Sequence, residues 1–176
     1  MTSASQLAAE AWKLAESGQP EEAIARYRQA LASADSSTFD LWRIRGEFAA
    51  ILARSGDLEG AAAQYELSLK ESISRGEPRE SSVLAITRYF LAELQLALGQ
   101  ASTALATIAG SLSAGTNQEA LLRMVEAQAC EALGDHAKAK VSAELAITES
   151  RTPQQRERIV ERLANIVSAE GPPNSR

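Results

Sequence analysis

The chain carries a single histidine and a single cysteine, the first two places to look for catalysis. His136 could serve as a general base if a hydroxyl or thiol stood beside it. It follows Asp135, a residue suited to capping a helix, so it is expected on an exposed turn with no Ser or Cys at a matching position. Cys130 falls in an apolar helical stretch and reads as a buried, inert thiol. One cysteine cannot form an internal disulfide, which fits a reducing compartment. The acidic groups Glu21-Glu22 and Asp57-Leu58-Glu59 sit where first-turn carboxylates complement a helix dipole. Zinc-ligand spacing, a phosphate-binding glycine loop and a nucleophile elbow are all missing. The expectation is a protein that is not an enzyme and uses no metal or cofactor.

A length of 176 residues suffices for one domain or a short repeat array with a continuous core. Apolar residues make up 45% and charged residues 23%, as in ordinary soluble folded proteins. The 34 alanines stand out, and aromatics are scarce at 5%. Alanine is the best helix former and lets helices approach closely, so the bias points to an all-α fold of tightly packed helix pairs. A net charge of −5 and a pI near 5.1 argue against nucleic acid as a partner, because a phosphate-binding surface needs clustered Lys and Arg. Met1 to Gln6 lack the regions of a secretory signal. No run approaches the roughly 18 apolar residues that suggest a bilayer span. The expected setting is cytoplasmic, without membrane insertion.

An internal repeat supplies the architecture. Gly18, Gly56, Gly99 and Gly134 serve as anchors. Alanine stands seven residues before each (Ala11, Ala49, Ala92, Ala127) and five after (Ala23, Ala61, Ala104, Ala139). Further on come the small residues Ala30, Ser68, Ser111 and Ala146, each followed by an aliphatic: Leu31, Leu69, Leu112 and Ile147. The glycine suits a helix C-terminus in the left-handed conformation, and the alanines suit the close crossing of two antiparallel helices. Asp57 and Asp135 suit N-caps of the second helix. Pro20 fits a first turn, where its missing N–H is harmless.

This pattern resembles the tetratricopeptide repeat (TPR), whose second helix carries A-x3-F. Here that signature reads Ala23-x3-Tyr27, Ala61-x3-Tyr65, Ala104-x3-Ile108 and Ala139-x3-Ala143. The first-helix signature is carried by Leu7, Glu10, Ala11 and Leu14, then by Arg45, Phe48, Ala49 and Leu52; in the third and fourth copies Arg88 and Arg123 replace its aromatic. Anchors at 18, 56, 99 and 134 are 38, 43 and 35 residues apart, against 34 in the standard repeat. The excess falls between repeats and predicts extended helices around Phe39–Trp42 and Ser72–Ser82, with a turn at Gly76-Glu77-Pro78. Such lengthening resembles that of bacterial regulatory and sensor TPR proteins.

The resemblance implies an all-α, right-handed α-α superhelix: four helix-turn-helix repeats (about 4–37, 38–76, 78–114 and 117–150) and a capping helix over 153–169, in a single domain of residues 1–170. Thr152-Pro153-Gln154-Gln155 opens the capping helix with an N-cap, a first-turn proline and a capping-box glutamine. Its apolar stripe is Ile159, Val160, Leu163, Ile166 and Val167. Its polar outer face is Arg156, Glu157, Arg158, Glu161 and Arg162. Residues 171–176 are expected to form a flexible tail.

In the TPR superhelix, first helices line a concave groove. The resemblance therefore implies a partner-binding surface that begins with Trp12, an aromatic of the kind that anchors interfaces, flanked by Ser5, Ala8 and Ala15. The second repeat adds Arg43, Gly46, Glu47, Ala50 and Arg54. The third adds Ile86, Tyr89, Phe90, Glu93 and Leu96, and the fourth Leu121, Met124, Gln128 and Glu131. Trp42 is expected to pack. The Lys/Asn carboxylate clamp of chaperone-binding repeats is missing, since Ala8, Trp12, Glu47, Ile86 and Phe90 stand in its place. The leading expectation is an adaptor or chaperone-like module that holds a peptide or helix of another protein in this groove. The alternatives are a signal-sensing domain that changes conformation on binding a ligand or peptide, and a self-assembling scaffold. A monomer or weak dimer is expected.

Overall fold

The structure, a computed structural model, describes residues 2–35 and 38–168. The expected tail at 171–176 and the last residue of the expected capping helix lie outside the described residues. Every regular element described is helical, with no strand among the described residues. The fold is an all-α helical repeat of the solenoid class. Close contacts divide the chain into two units, Met1–Pro78 and Arg79–Arg176.

The first unit holds α1 (Ala4–Glu16), α2 (Pro20–Ser33), α3 (Leu41–Arg54) and α4 (Leu58–Ser74). Helices α1 and α2 form one antiparallel pair and α3 and α4 a second, with α2 and α1 also meeting α3. The crossings are close because the residues there are small: Ala11, Ala23, Ala30, Ala49 and Ala61 have no exposed surface. Around them Tyr27 stacks on Phe48 at 5.5 Å, and Ile44, Ile51, Leu52 and Tyr65 complete the core.

Gly56 shows how one helix stops and the next starts. At φ 90° it occupies the left-handed region that costs a glycine little. Its N–H bonds to Ala53 O at 3.1 Å, and the Asp57 N–H reaches back to Leu52 O at 3.0 Å, the double closure of a Schellman turn. The Asp57 carboxylate then accepts from Gly60 N at 2.9 Å and caps α4. Gly134 and Asp135 repeat the device, with Asp135 Oδ1 accepting from Lys138 N at 3.1 Å.

The second unit holds α5 (Ser82–Ala97), α6 (Ala101–Leu112), α7 (Glu119–Ala132), α8 (His136–Thr148) and α9 (Pro153–Ser168). The pairs are α5 with α6 and α7 with α8; α6 and α5 pack on α7, and α9 packs on α8 and α7. Ala92, Ala104, Ala127, Ala139 and Ala146 are fully buried, as are Ala143 and Ser111. Ile159, Leu163 and Ile166 of α9 join Ala120, Met124, Ala127 and Cys130 of α7 and the alanines of α8 in one apolar cluster. Val160 and Val167, counted in the expected apolar stripe, stay in solvent instead, because they lie off the line of these three. Thr152 Oγ1 accepts from Gln155 N at 3.1 Å, while the Gln155 side chain accepts from Arg151 N at 2.9 Å.

The lengthened connections are resolved differently at their two places. Between repeats two and three, α4 extends to Ser74, Gly76 turns at φ 81° and α5 begins at Ser82, much as expected. Between repeats one and two, Phe39 and Asp40 form a turn and α3 starts only at Leu41. The reason lies in Asp40, whose carboxylate accepts from Ser5 Oγ at 2.9 Å and from the Arg43 guanidinium. Phe39 is left 80% exposed, its ring covered by the Arg75 guanidinium at 5.5 Å.

Candidate partner-binding faces

In the first unit the expected site residues of α1 and α3 gather on one face. Trp12 is 37% exposed, and the Arg54 guanidinium lies over its ring at 5.7 Å, a cation–π contact. Arg54 Nε also donates to the Ala50 carbonyl at 3.3 Å. Arg43 is held between Asp40 and Glu47. The Tyr27 hydroxyl, arriving from α2, donates to Glu47 Oε2 at 3.4 Å. Burial, followed by the neighbouring Glu47 charge and hydrogen bond, pushes the Tyr27 phenol above its usual range. Burial also raises the Asp40 carboxyl, but hydrogen bonds from Arg43 and Ser5 outweigh it, and the net shift is downward. The face thus offers an indole covered on one side by a guanidinium and, beside it, an Arg43 flanked by two carboxylates. Ala8, expected beside Trp12, has no exposed surface and cannot touch a partner; its small side chain lets the helices meet.

In the second unit Tyr89 and Glu93 of α5 and Gln128 of α7 are brought together by a residue from the capping helix. Arg162 grips Glu93 with both terminal nitrogens, at 2.7 and 3.0 Å. It also reaches the Tyr89 hydroxyl and Gln128 Oε1, each at 3.4 Å. Burial, then the Glu93 charge, raises the Tyr89 phenol. Glu131 stands apart at the end of α7, where it bonds His136 Nδ1 at 2.9 Å. His136 is exposed on the first turn of α8, and the Glu131 hydrogen bond and charge raise its pKa. Met124 is 2% exposed. It lies under α9 and is a core residue with only an edge on the adjoining trough.

That trough, of about 670 Å³, runs between α5, α7 and the start of α9. Ile86, Tyr89, Phe90 and Leu121 lie along its apolar floor, with Arg151, Arg158 and Arg162 among its polar residues. Arg158 and Arg162 were expected on an outer polar face; α9 instead turns them toward α5 and α7. Part of the signal was present in the sequence: positions 155, 158 and 162 fall on one helical stripe, and the acids Glu157 and Glu161 fall off it.

The arginines at equivalent first-helix positions of repeats two to four, Arg45, Arg88 and Arg123, all make polar bridges. Arg45 Nη1 donates to Gln64 of α4 at 3.1 Å. Arg88 Nη1 donates to Ser111 of α6 at 2.6 Å. Arg123 bonds Glu119 and Glu126 within α7, and Glu126, 8% exposed, accepts from Ser142 of α8 at 3.0 Å. Lys138 adds a contact to Glu126 at 3.4 Å. Burial raises the Glu126 carboxyl, but bonds from Arg123 and Ser142 and the charges of Arg123 and Lys138 outweigh it, and its pKa falls. Polar bridges thus tie α3 and α5 to their partner helices and brace α7.

Cys130 is buried, and burial raises its thiol pKa. No cluster of His, Cys, Asp and Glu that could hold a metal ion occurs among the described residues. No described helix is long and apolar enough to cross a membrane.

No protein-family model matches the chain, and no curated protein matches it. Solved structures do. BtubC (BKLC) from P. vanneervenii superposes with a TM-score of 0.68 at 22% identity, over 98% of this chain and 84% of its own. MamA 41-end from Desulfovibrio magneticus RS-1 superposes with a TM-score of 0.67 at 14% identity, over 93% of this chain and 92% of its own. At these identities the likeness is one of fold.

Proposed function

We propose that this chain is a protein-interaction module of TPR type that holds a peptide or helix of a partner protein against its first helices. The observation that carries the reading is the α1/α3 face, where Trp12 stays 37% exposed beneath Arg54. An indole half out of solvent and held in place loses little conformational freedom when a partner covers it, and Trp and Arg dominate binding hot spots. Arg43, Glu47 and Ala50 flank it on α3. In the second unit Tyr89, Glu93 and Gln128 supply a second contact set, with Glu131 at its edge. The protein works as an adaptor or chaperone-like module in a reducing, cytoplasmic setting, where buried Cys130 stays a thiol. It performs no catalysis of its own.

Affinity capture from native extract, with Trp12→Ala and Tyr89→Ala as parallel baits, tests this. The expected result is partner loss in one or both variants with unchanged helicity. Equal capture by wild type and both variants would refute the reading.

A further inference from the structure

The trough of the second unit carries a charge pattern that narrows the chemistry of its occupant. Its volume, about 670 Å³, suits a few side chains of a peptide, since ligand sites run from roughly 300 to 1,000 Å³. Ile86, Phe90 and Leu121 give it an apolar floor, and no carboxylate lines it. Three arginines do. Arg162 is already neutralised by Glu93. Arg151 and Arg158 are exposed, and neither has an ion-pair partner among the described residues. The segregation is built into α9. Arg158 and Arg162 share the α9 stripe that faces the trough and Arg151 joins them from just before the helix, whereas Glu157 and Glu161 line a separate surface with Pro153, Arg156 and Val160. In a chain of net charge −5, a cation-rimmed apolar trough runs against the overall field. Such local complementarity selects partners by charge.

We infer that this trough docks an acidic amphipathic segment of a partner protein, with aliphatic side chains on the floor and carboxylates on Arg151 and Arg158. The inference rests on the binding-module reading above and names the partner chemistry for the second unit. Arg162, fixed by Glu93, sets the inner wall rather than binding the partner directly. The two free guanidiniums can each take a carboxylate in bidentate fashion.

The test is fluorescence anisotropy on the full chain with short labelled peptides that place Leu at every third or fourth position and Glu, Gln or Lys between. The Glu peptide should bind best, and added salt should weaken it. The double variant R151E/R158E should weaken the Glu peptide about tenfold and favour the Lys peptide. R151Q/R158Q serves as the milder variant should charge reversal unfold the protein. Glu66→Gln, on the exposed side of α4, should leave Glu-peptide binding unchanged. Equal binding of the Glu and Lys peptides, no binding of the Glu peptide, or wild-type affinity in the glutamine variant would overturn the inference. Displacement by laurate below the peptide's own dissociation constant would also overturn it, by assigning the trough to a small amphiphile. None of these outcomes touches Trp12-dependent capture, so failure here and failure of the interaction-module reading are read separately.

Discussion

In the first unit, α1 and α3 carry Trp12 and Arg54 at the surface, and Ser5 to Asp40 and Tyr27 to Glu47 tie that face together over long range. In the second unit, α5 and α7 occupy the equivalent places, but α9 packs on α7 and α8 and sends Arg162 to Glu93, Tyr89 and Gln128. The same paired-helix repeat therefore ends in two surfaces, one aromatic and open, the other walled by a helix that has no counterpart in the repeat. A terminal helix of this kind does two things to a repeat. It buries the apolar surface a last repeat cannot cover by itself, and its polar side determines the charge of what remains accessible.

The largest effect expected from breaking this contrast is the removal of the α9 anchor. Leu163 has no exposed surface within the α7–α9 cluster, so Leu163→Ala should cost about 2–5 kcal/mol by urea unfolding. Hydrogen exchange should show the loss in α7–α9 and not in α1–α4. Overpacking one crossing in each unit comes next. Ala61→Leu and Ala139→Leu replace equivalent, fully buried alanines, and each should cost about 1–3 kcal/mol. Clearly unequal losses would show that the two crossings are not equivalent.

Acid sharpens the contrast further. The folded pKa of Glu126 lies below its ordinary value, so its stabilising effect is complete above the unfolded carboxylate pKa of about 4.3. It is lost as pH falls from there through the folded value. Glu126→Gln should flatten that part of the pH–stability profile of the second unit, measured by thermal melts across the acid range. The smallest effect on stability belongs to Trp12. As a partly exposed side chain, its replacement by Ala should shift stability by only about 0.5 kcal/mol while reducing partner capture.

The close crossings were legible in the sequence because their geometry admits few residue types. An alanine five residues past each anchor glycine, and the Asp that follows Gly56 and Gly134, can be read locally. Phe39 was not legible as a turn residue. What holds it out of α3 is Asp40 bonding to Ser5, 35 positions away, which no local propensity records. The same holds for Arg162, whose polar character was plain but whose partner Glu93 is 69 positions distant. Arg88 and Arg123 look like lapses from an aromatic signature until their bonds to Ser111 and Glu126 are seen. Local rules specify where helices stop, start and cross; side chains that reach between distant segments decide what the faces display.

Site-specific photocrosslinking would show which face meets the partner. A photoreactive residue would be placed at Ala50, beside Arg54 on α3, and in a second protein at Ala63, on the exposed side of α4. A partner adduct is expected from position 50 and none from position 63. Adducts from 63 alone would move binding to the second helices and contradict binding at the first.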